Sequence, residues 1–149
     1  MKLIFLDIDG VMNSATGTEP YLADMEVEKL KKLKNLIEMS GSYGIVLISD
    51  RRYSKVYMNQ FINALDCYEI FMAGEIRRPK ELDEDLDDNR GKQIKDYLLD
   101  CKDNIEAFVI LDDNDEGISD LYEEEFIKVN RFYGFDNYVF DKALKVLNR

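Results

Sequence analysis

Polar side chains with metal-binding and phosphate-binding chemistry follow three short apolar segments of the chain. They are Asp7, Asp9 and Gly10 in the first place, Ser49 and Asp50 in the second, and Asp112 and Asp113 in the third. Carboxylates that converge in one place repel one another, so such a cluster needs either raised pKa values or a bound cation. Oxygen donors without imidazole or thiolate favour a hard cation such as Mg²⁺, which keeps water molecules that a phosphate can displace.

The same places hold groups that could bind an anion. Gly10 allows a sharp turn that brings backbone N–H groups close to an anion, and Ser49 offers a hydroxyl. Positive charge for phosphoryl oxygens could come from Arg52 or from the basic segment at residues 90–92. Acids, Mg²⁺, a hydroxyl and one cation are sufficient for phosphoryl transfer without histidine.

The composition narrows the chemistry further. The chain has no His and only two Cys among its 149 residues. It therefore cannot form a Ser-His-Asp triad, use a histidine general base, or close a four-ligand structural zinc site. The cysteines, Cys67 and Cys101, do not make a disulfide framework and suit a reducing compartment. A catalytic site must be built from carboxylates, hydroxyls, Lys and Arg.

Length and charge bound the kind of protein. A chain of 149 residues that is 46% apolar suits one domain over residues 1–149. No segment approaches the ~20 apolar residues of a membrane span, and we recognise no secretion signal, so we expect a cytoplasmic protein. The formal net charge of −11 argues against sequence-blind binding to nucleic acid. It leaves room for an enzyme that recognises a polymer end through a local basic pocket.

Strands and helices are predicted to alternate along the sequence. Near-continuous apolar runs predict buried strands, and apolar residues at helical spacing predict helices between them. The predicted strands cover residues 2–8, 45–48, 107–111 and 126–129. The predicted helices cover residues 25–39 with Asp24 as the cap, about 54–65, 91–99, 118–122 and 140–147. The remaining long stretches are a predicted loop at residues 10–21 and the least regular part of the chain at residues 66–89.

This alternation predicts an α/β, Rossmann-like fold with three layers, in which helices cover both faces of a mostly parallel sheet. In such sheets, ligands bind outside the carboxyl ends of the strands. The apolar strands that lead to Asp7, Ser49 and Asp112 are therefore expected to end at one common edge.

The stretch from Leu3 to Val11 resembles the first motif of the haloacid dehalogenase (HAD) superfamily of phosphohydrolases. Residues 45–49 resemble its second motif, and residues 108–113 resemble its fourth motif in the form with two adjacent acids. The chain is most similar to a small capless branch, the HAD domains of Swiss Army Knife RNA repair proteins. That branch carries Ser-x-x-Arg, here Ser49 to Arg52, and a later Arg-Gly-x-x-Ile segment, here Arg90 to Ile94.

The resemblance implies a role for each matching residue. Asp7 would be the nucleophile that forms an aspartyl-phosphate, and Asp9 would be the general acid and base. Ser49 would hold a phosphoryl oxygen. Asp7, the backbone carbonyl of Asp9, and Asp112 and Asp113 would bind Mg²⁺, either directly or through water.

The third motif of the superfamily is ambiguous in this chain. Arg90 fits the branch, whereas Lys92 is the residue type usual in the wider superfamily, and two residues apart on a helix they cannot both face the site. We favour Arg90 as the catalytic cation of this motif. Gly10, Arg52 and Lys92 are further candidates for substrate contact. Arg51 stands where the branch carries an aromatic residue, which affects local packing rather than the chemistry. No segment is long enough for a large cap, so we expect an open site.

These observations favour a Mg²⁺-dependent phosphatase that acts on phosphate monoesters through Asp7. Its substrate would be a phosphorylated small ester or polymer end, with a nucleotide or a nucleic-acid end phosphate among the candidates. A catalytically silent, metal-binding interaction module stays open as the alternative. A signalling receiver fits the sequence poorly, because residues 45–48 end in Ser49 rather than in a phosphoacceptor aspartate. The sequence does not indicate the oligomeric state.

Overall fold

The computed structural model describes residues 1–14, 24–76 and 89–149, apart from the side chains of Arg51 and Tyr53. Its strands are β1 (Lys2–Leu6), β2 (Gly44–Leu47), β3 (Met72–Glu75), β4 (Ala107–Asp112) and β5 (Phe126–Lys128). They form one sheet in the order β3-β2-β1-β4-β5, and every neighbouring pair is parallel. The prediction of an α/β fold with a central parallel sheet is confirmed.

Helices cover both faces of this sheet. They are α1 (Val27–Ser40), α2 (Lys55–Cys67), α3 (Arg90–Asp100), α4 (Ile118–Tyr122) and α5 (Asn137–Leu147), with a 3₁₀ turn at Asp50–Tyr53. The apolar side chains of α1, α2 and α5 pack on one face, and those of α3 and α4 pack on the other. The described residues contain no large cap, and none of their helices is long and apolar enough to cross a membrane.

The pairing of the central strand β1 with its two neighbours places the polar residues that follow these strands at the same level of the sheet. Its residues 3–6 are fully buried because both faces of the strand are covered, which explains the unbroken apolar run. Leu6 is level with Leu47 on one side and with Leu111 on the other. Asp7 and Asp112, which follow these paired residues, therefore lie at the same edge.

The predicted element boundaries need several corrections. Strand β3 lies in the stretch that we predicted to be irregular, because its short sequence Met-Ala-Gly-Glu is only half-buried at an edge and has no clear apolar pattern. Helix α1 begins after Glu26 rather than after Asp24, and α5 begins three residues earlier than predicted because Asp136 caps it by accepting from Val139 N–H. The predicted loop beyond residue 14 and the acidic run at residues 81–88 lie outside the described residues.

Candidate functional site

The ends of several strands bring their polar residues to one cavity at the carboxyl edge of the sheet. The backbone N–H of Asp7 donates to the carbonyl of Leu111 at 3.0 Å, which holds Asp7 beside Asp112. Ser49 follows β2 on the other side of β1 and is buried. The cavity has a volume of about 320 Å³. It is lined by Asp7, Asp9, Gly10, Ser49, Asp50, Arg90, Asp113, Asn114, Glu116 and Arg131.

Three carboxylates form a cluster that fits a divalent cation. One oxygen from each of Asp7, Asp112 and Asp113 lies within 4.8 Å of the others. Burial and the charge of Asp112 raise the pKa of Asp7 well above its usual value, and burial raises the pKa of Asp112 to about 6. Two buried acids with raised pKa values are what a bound cation would relieve, and an all-oxygen donor set suits Mg²⁺. The residues present therefore fit the predicted metal.

Arg90 is the buried cation of the site. Its Nη1 donates to Asp112 Oδ2 at 2.5 Å, its Nη2 donates to Asp50 Oδ1 at 3.0 Å, and its Nε lies 3.4 Å from Glu116 Oε2. Burial by itself would lower the pKa of the Arg90 guanidinium, but the charges of Asp112 and Asp7 raise it overall. Arg90 thus stays charged and compensates part of the acidic cluster.

The structure separates the two candidates for the third motif. Arg90, the first residue of α3, lines the cavity, whereas Lys92 is exposed and is not among the lining residues. Asn89 caps this helix by accepting the backbone N–H of Lys92 at 3.0 Å. The helix geometry therefore brings only the first of the two side chains to the acids, as their spacing requires.

Asn13 closes the loop that follows β1, a role that no sequence pattern indicates. Its Oδ1 accepts the N–H of Gly10 at 2.9 Å, and its Nδ2 donates to Asp9 Oδ1 at 3.2 Å. We expected the N–H of Gly10 to approach an anion, but the structure occupies that N–H with Asn13. Gly10 serves the site through its left-handed backbone, with φ of +79°, which only a residue without Cβ adopts easily.

Arg52 lies beneath the cavity rather than on its wall. Its side chain is 1% exposed, and its Nη1 donates to the carbonyls of Ile48 at 3.0 Å and Ser49 at 2.9 Å. Its Nη2 donates to Gln93 Oε1 at 3.1 Å, which ties this segment to α3. The predicted contact of Arg52 with a substrate is therefore replaced by a positioning role, because the buried guanidinium holds the backbone around Ser49.

Three residues that line the cavity were not predicted from the sequence: Asn114, Glu116 and Arg131. Asn114 donates its backbone N–H to Asp112 Oδ1 at 2.9 Å, a local turn that the neighbouring Asp-Asp pair could have indicated. Arg131 comes just after a strand that was predicted correctly. Because ligands bind outside the carboxyl ends of parallel strands, the position of Arg131 after this strand, β5, is a signal that could have indicated it.

Replacing Gly10 with alanine is expected to damage the site as well as the backbone. A Cβ at this position would collide with the carboxylate of Asp113 and would lie 3.1 Å from Arg131 Cβ. We expect Gly10→Ala to reduce the free energy of unfolding by about 1–3 kcal/mol and to weaken the stabilisation by Mg²⁺. Thermal unfolding with and without Mg²⁺ measures both effects.

Gly41→Ala is the matched control for this substitution. Gly41 has nearly the same left-handed backbone, with φ of +70°, but nothing lies within 4 Å of a Cβ added there. The Gly41→Ala variant should therefore lose only the stability that the strained backbone costs, and Mg²⁺ should stabilise it as much as the wild type. Equal unfolding free energies and equal Mg²⁺ responses for the two variants would contradict the predicted crowding at Asp113.

The acidic cluster is expected to make the metal-free protein less stable at neutral pH than at mildly acidic pH. An acid whose pKa is raised by folding binds a proton more tightly in the folded state than in the unfolded state. Its protonation therefore stabilises the fold at low pH, and this stabilisation is lost as pH rises through the pKa of the folded state. For Asp112 that value is about 6, and for Asp7 it is also raised. We therefore expect the melting temperature without divalent cations to rise as pH is lowered from about 7.5 to about 5.

Asp7→Asn tests this prediction because it removes one charge from the cluster. At about pH 7.5 and without divalent cations, the variant is expected to melt about 2–8 °C above the wild type, with a flatter pH dependence. Asp141→Asn, at an exposed position on α5, is the control that should leave the pH profile unchanged. A metal-free Asp7→Asn protein that melts below the wild type at this pH would refute the proposed repulsion.

Comparison with known families supports the assignment of these motifs. A model of the family described as HAD domain in Swiss Army Knife RNA repair proteins matches residues 3–139. The matched range contains every residue that lines the cavity, and it confirms the resemblance drawn from the three motifs. No curated protein matches the chain.

Proposed function

We propose that this chain, which belongs to the family of HAD domains in Swiss Army Knife RNA repair proteins, is a Mg²⁺-dependent phosphohydrolase that acts through Asp7. The observation that supports this most strongly is the meeting of the Asp7, Asp112 and Asp113 oxygens, all within 4.8 Å of one another, in a cavity that Asp9 and Ser49 also line. These are the residues to which the motifs give chemical roles.

In the first step, the carboxylate of Asp7 attacks the phosphorus of a phosphate monoester. The bond between phosphorus and the leaving oxygen breaks, and Asp9 donates a proton to that oxygen. The product is an aspartyl-phosphate on Asp7 and a free alcohol. Asn13 supports this assignment because its hydrogen bond holds the carboxylate of Asp9 at the cavity.

In the second step, Asp9 accepts a proton from a water molecule as that water attacks the phosphorus. The bond between phosphorus and the Asp7 oxygen breaks, which releases inorganic phosphate and restores both acids. Ser49 donates its hydroxyl to a phosphoryl oxygen, and Arg90 keeps Asp112 ionised and in place.

A cation held by Asp7, Asp9, Asp112 and Asp113 would stabilise the negative charge that develops on the phosphoryl oxygens. Asp113 lines the cavity, whereas Asp112 is fully buried and engaged by Arg90 and Asn114. The buried acid of this pair therefore suits the anchoring of Arg90, and the half-buried acid suits direct contact with the cation.

The experiment that tests this function is a phosphate-release screen with purified protein. Its panel covers sugar phosphates, nucleotides, phosphopeptides and 5′- or 3′-phosphorylated oligonucleotides, because a site without a large cap suits both small esters and polymer ends. We expect release with Mg²⁺, loss of release with EDTA, and recovery when Mg²⁺ is restored. Stabilisation by Mg²⁺ without turnover on any member of the panel would instead identify a silent metal-binding module.

A further inference from the structure

The cation provided by the third motif is already engaged within the protein. The guanidinium of Arg90 contacts the carboxylates of Asp112, Asp50 and Glu116 at 2.5, 3.0 and 3.4 Å. The positive charge of Arg90 is therefore already shared among three acids of the protein, although its buried Nε makes no hydrogen bond. A substrate with two negative charges therefore needs another source of positive charge besides a bound metal.

Two backbone donors near the acids are already engaged within the protein. The N–H of Gly10 is bonded to Asn13 Oδ1 at 2.9 Å, and the N–H of Asn114 is bonded to Asp112 Oδ1 at 2.9 Å. Among the described residues, five carboxylates and two guanidinium groups line the cavity. The side chains of the cavity thus present more negative than positive charge to an approaching phosphate. The second guanidinium is therefore the group whose partners need to be described.

That second guanidinium belongs to Arg131, whose backbone is firmly placed beside the acids. Val129, directly after β5, donates its N–H to the carbonyl of Asp112 at 2.8 Å, and Phe135 donates its N–H to the carbonyl of Val11 at 2.7 Å. Between them, Asn130 closes a tight turn by accepting from Phe132 N–H at 3.0 Å. The turn thus fixes where the Arg131 side chain begins.

The side chain of Arg131 is exposed and lines the cavity. Its Cβ lies next to Gly10, on the side of the cavity that also holds Asp113. Within the described part of the chain, no carboxylate forms an ion pair with its guanidinium. Of the two cavity-lining arginines, one is therefore buried and shared by three acids, and the other keeps its donors available.

We propose that Arg131 binds the oxygens of the phosphoryl group that is transferred to Asp7. This inference rests on the proposed phosphohydrolase function and adds a substrate-binding residue to it. A planar guanidinium can donate two parallel hydrogen bonds to a phosphate, which gives direction as well as charge. Arg90 then orders the acids, while Arg131 receives the substrate.

The test measures the binding of inorganic phosphate to the Mg²⁺-loaded protein by titration calorimetry, a readout that requires no turnover. We expect Arg131→Gln to weaken phosphate binding by about 10–100-fold, since hydrogen bonds to charged groups contribute ~1.5–3 kcal/mol. The phosphate affinity of Arg131→Lys should lie between those of Arg131→Gln and the wild type, because lysine keeps the charge without the paired donors. An unchanged affinity in Arg131→Gln would overturn the proposal.

Arg149→Gln is the matched control, with the same residue type and the same change in charge. Arg149 lies near Ala107, at the amino end of β4, opposite the edge that holds the cavity. It should keep wild-type affinity for phosphate. A loss of phosphate affinity equal to that of Arg131→Gln would show a general charge effect and overturn the assignment.

Kinetics then distinguish the transferred phosphate from a second anion on the substrate. If Arg131 binds the transferred group, the Arg131→Gln substitution lowers kcat/KM by the same factor for phenyl phosphate and for a carboxylated aryl phosphate. A loss confined to the carboxylated substrate would overturn the proposal. Failure of the phosphohydrolase function would look different, because the wild type would then turn over neither ester while phosphate binding still reported on Arg131.

Discussion

Asp7→Asn is expected to reduce phosphate release by at least about 10³-fold, the scale at which loss of a covalent nucleophile acts. The amide is nearly the same size as the carboxylate but cannot form an aspartyl-phosphate. The substitution also removes an acid from the cluster with Asp112 and Asp113, so Mg²⁺ should stabilise the variant less than the wild type. Phosphate release at saturating Mg²⁺ measures the first effect, and thermal unfolding measures the second.

The intermediate itself gives a sharper readout than the rate. Wild-type protein quenched in acid during turnover should carry a phosphoryl group on the peptide that contains Asp7, detected by mass spectrometry, whereas Asp7→Asn should not. Asp141→Asn, at the exposed position on α5, serves as the control and should keep both turnover and labelling. Turnover at a normal rate by Asp7→Asn would rule out the covalent mechanism.

Arg90→Ala is expected to damage stability and activity together. Removal of the guanidinium leaves Asp112 buried without its ion pair, and breaking a buried pair in this way typically costs about 3–5 kcal/mol. We expect the metal-free variant to lose stability on that scale and the Mg²⁺-loaded variant to lose less, because the cation compensates part of the exposed negative charge. Phosphate release should fall by about 10²-fold as the acids lose their alignment.

Two further variants show whether this loss is specific. Arg90→Lys keeps the charge but cannot reach three carboxylates with one ammonium group, so its stability should lie between those of the alanine variant and the wild type. Lys92→Ala removes a cation two residues later on the exposed side of α3 and should change the unfolding free energy by less than about 0.5 kcal/mol. A larger loss of activity in Lys92→Ala than in Arg90→Ala would reverse the assignment of the third motif.

The sequence predicted the sheet and the meeting of its strand ends because both depend on short-range patterns. A strand covered on both faces has to be apolar throughout, and the first polar residue after it marks the edge. This pattern predicts Asp7, Ser49 and Asp112 at one edge of the sheet, where the structure has them. The spacing of Arg90 and Lys92 also predicted that only one of them could reach the site, although it did not decide which.

What the sequence could not predict depends on contacts between distant segments. Nothing local to Arg52 indicates that its guanidinium is buried against the carbonyls of Ile48 and Ser49 instead of facing a ligand. Likewise, Asn13 and Arg131 acquire their places through the packing of the turn after β5 against the loop after β1, as the bond from Phe135 to Val11 illustrates. Edge strand β3 was missed because an edge imposes little apolar pattern on its sequence.

The central place of β1 in the sheet sets the timing of folding during protein synthesis. Lys2 of this strand pairs with Ala107 of β4, about 100 positions later in the chain. At ribosomal rates of ~5–20 residues per second, the strand waits roughly 5–20 s before this neighbour has been made. During that interval β1 lacks its second neighbour in the sheet, and the Asp7 carboxylate lacks Asp112 and Asp113, the other two acids of its cluster. The three-acid cluster can therefore form only after β4 has been made, late in the synthesis of the chain.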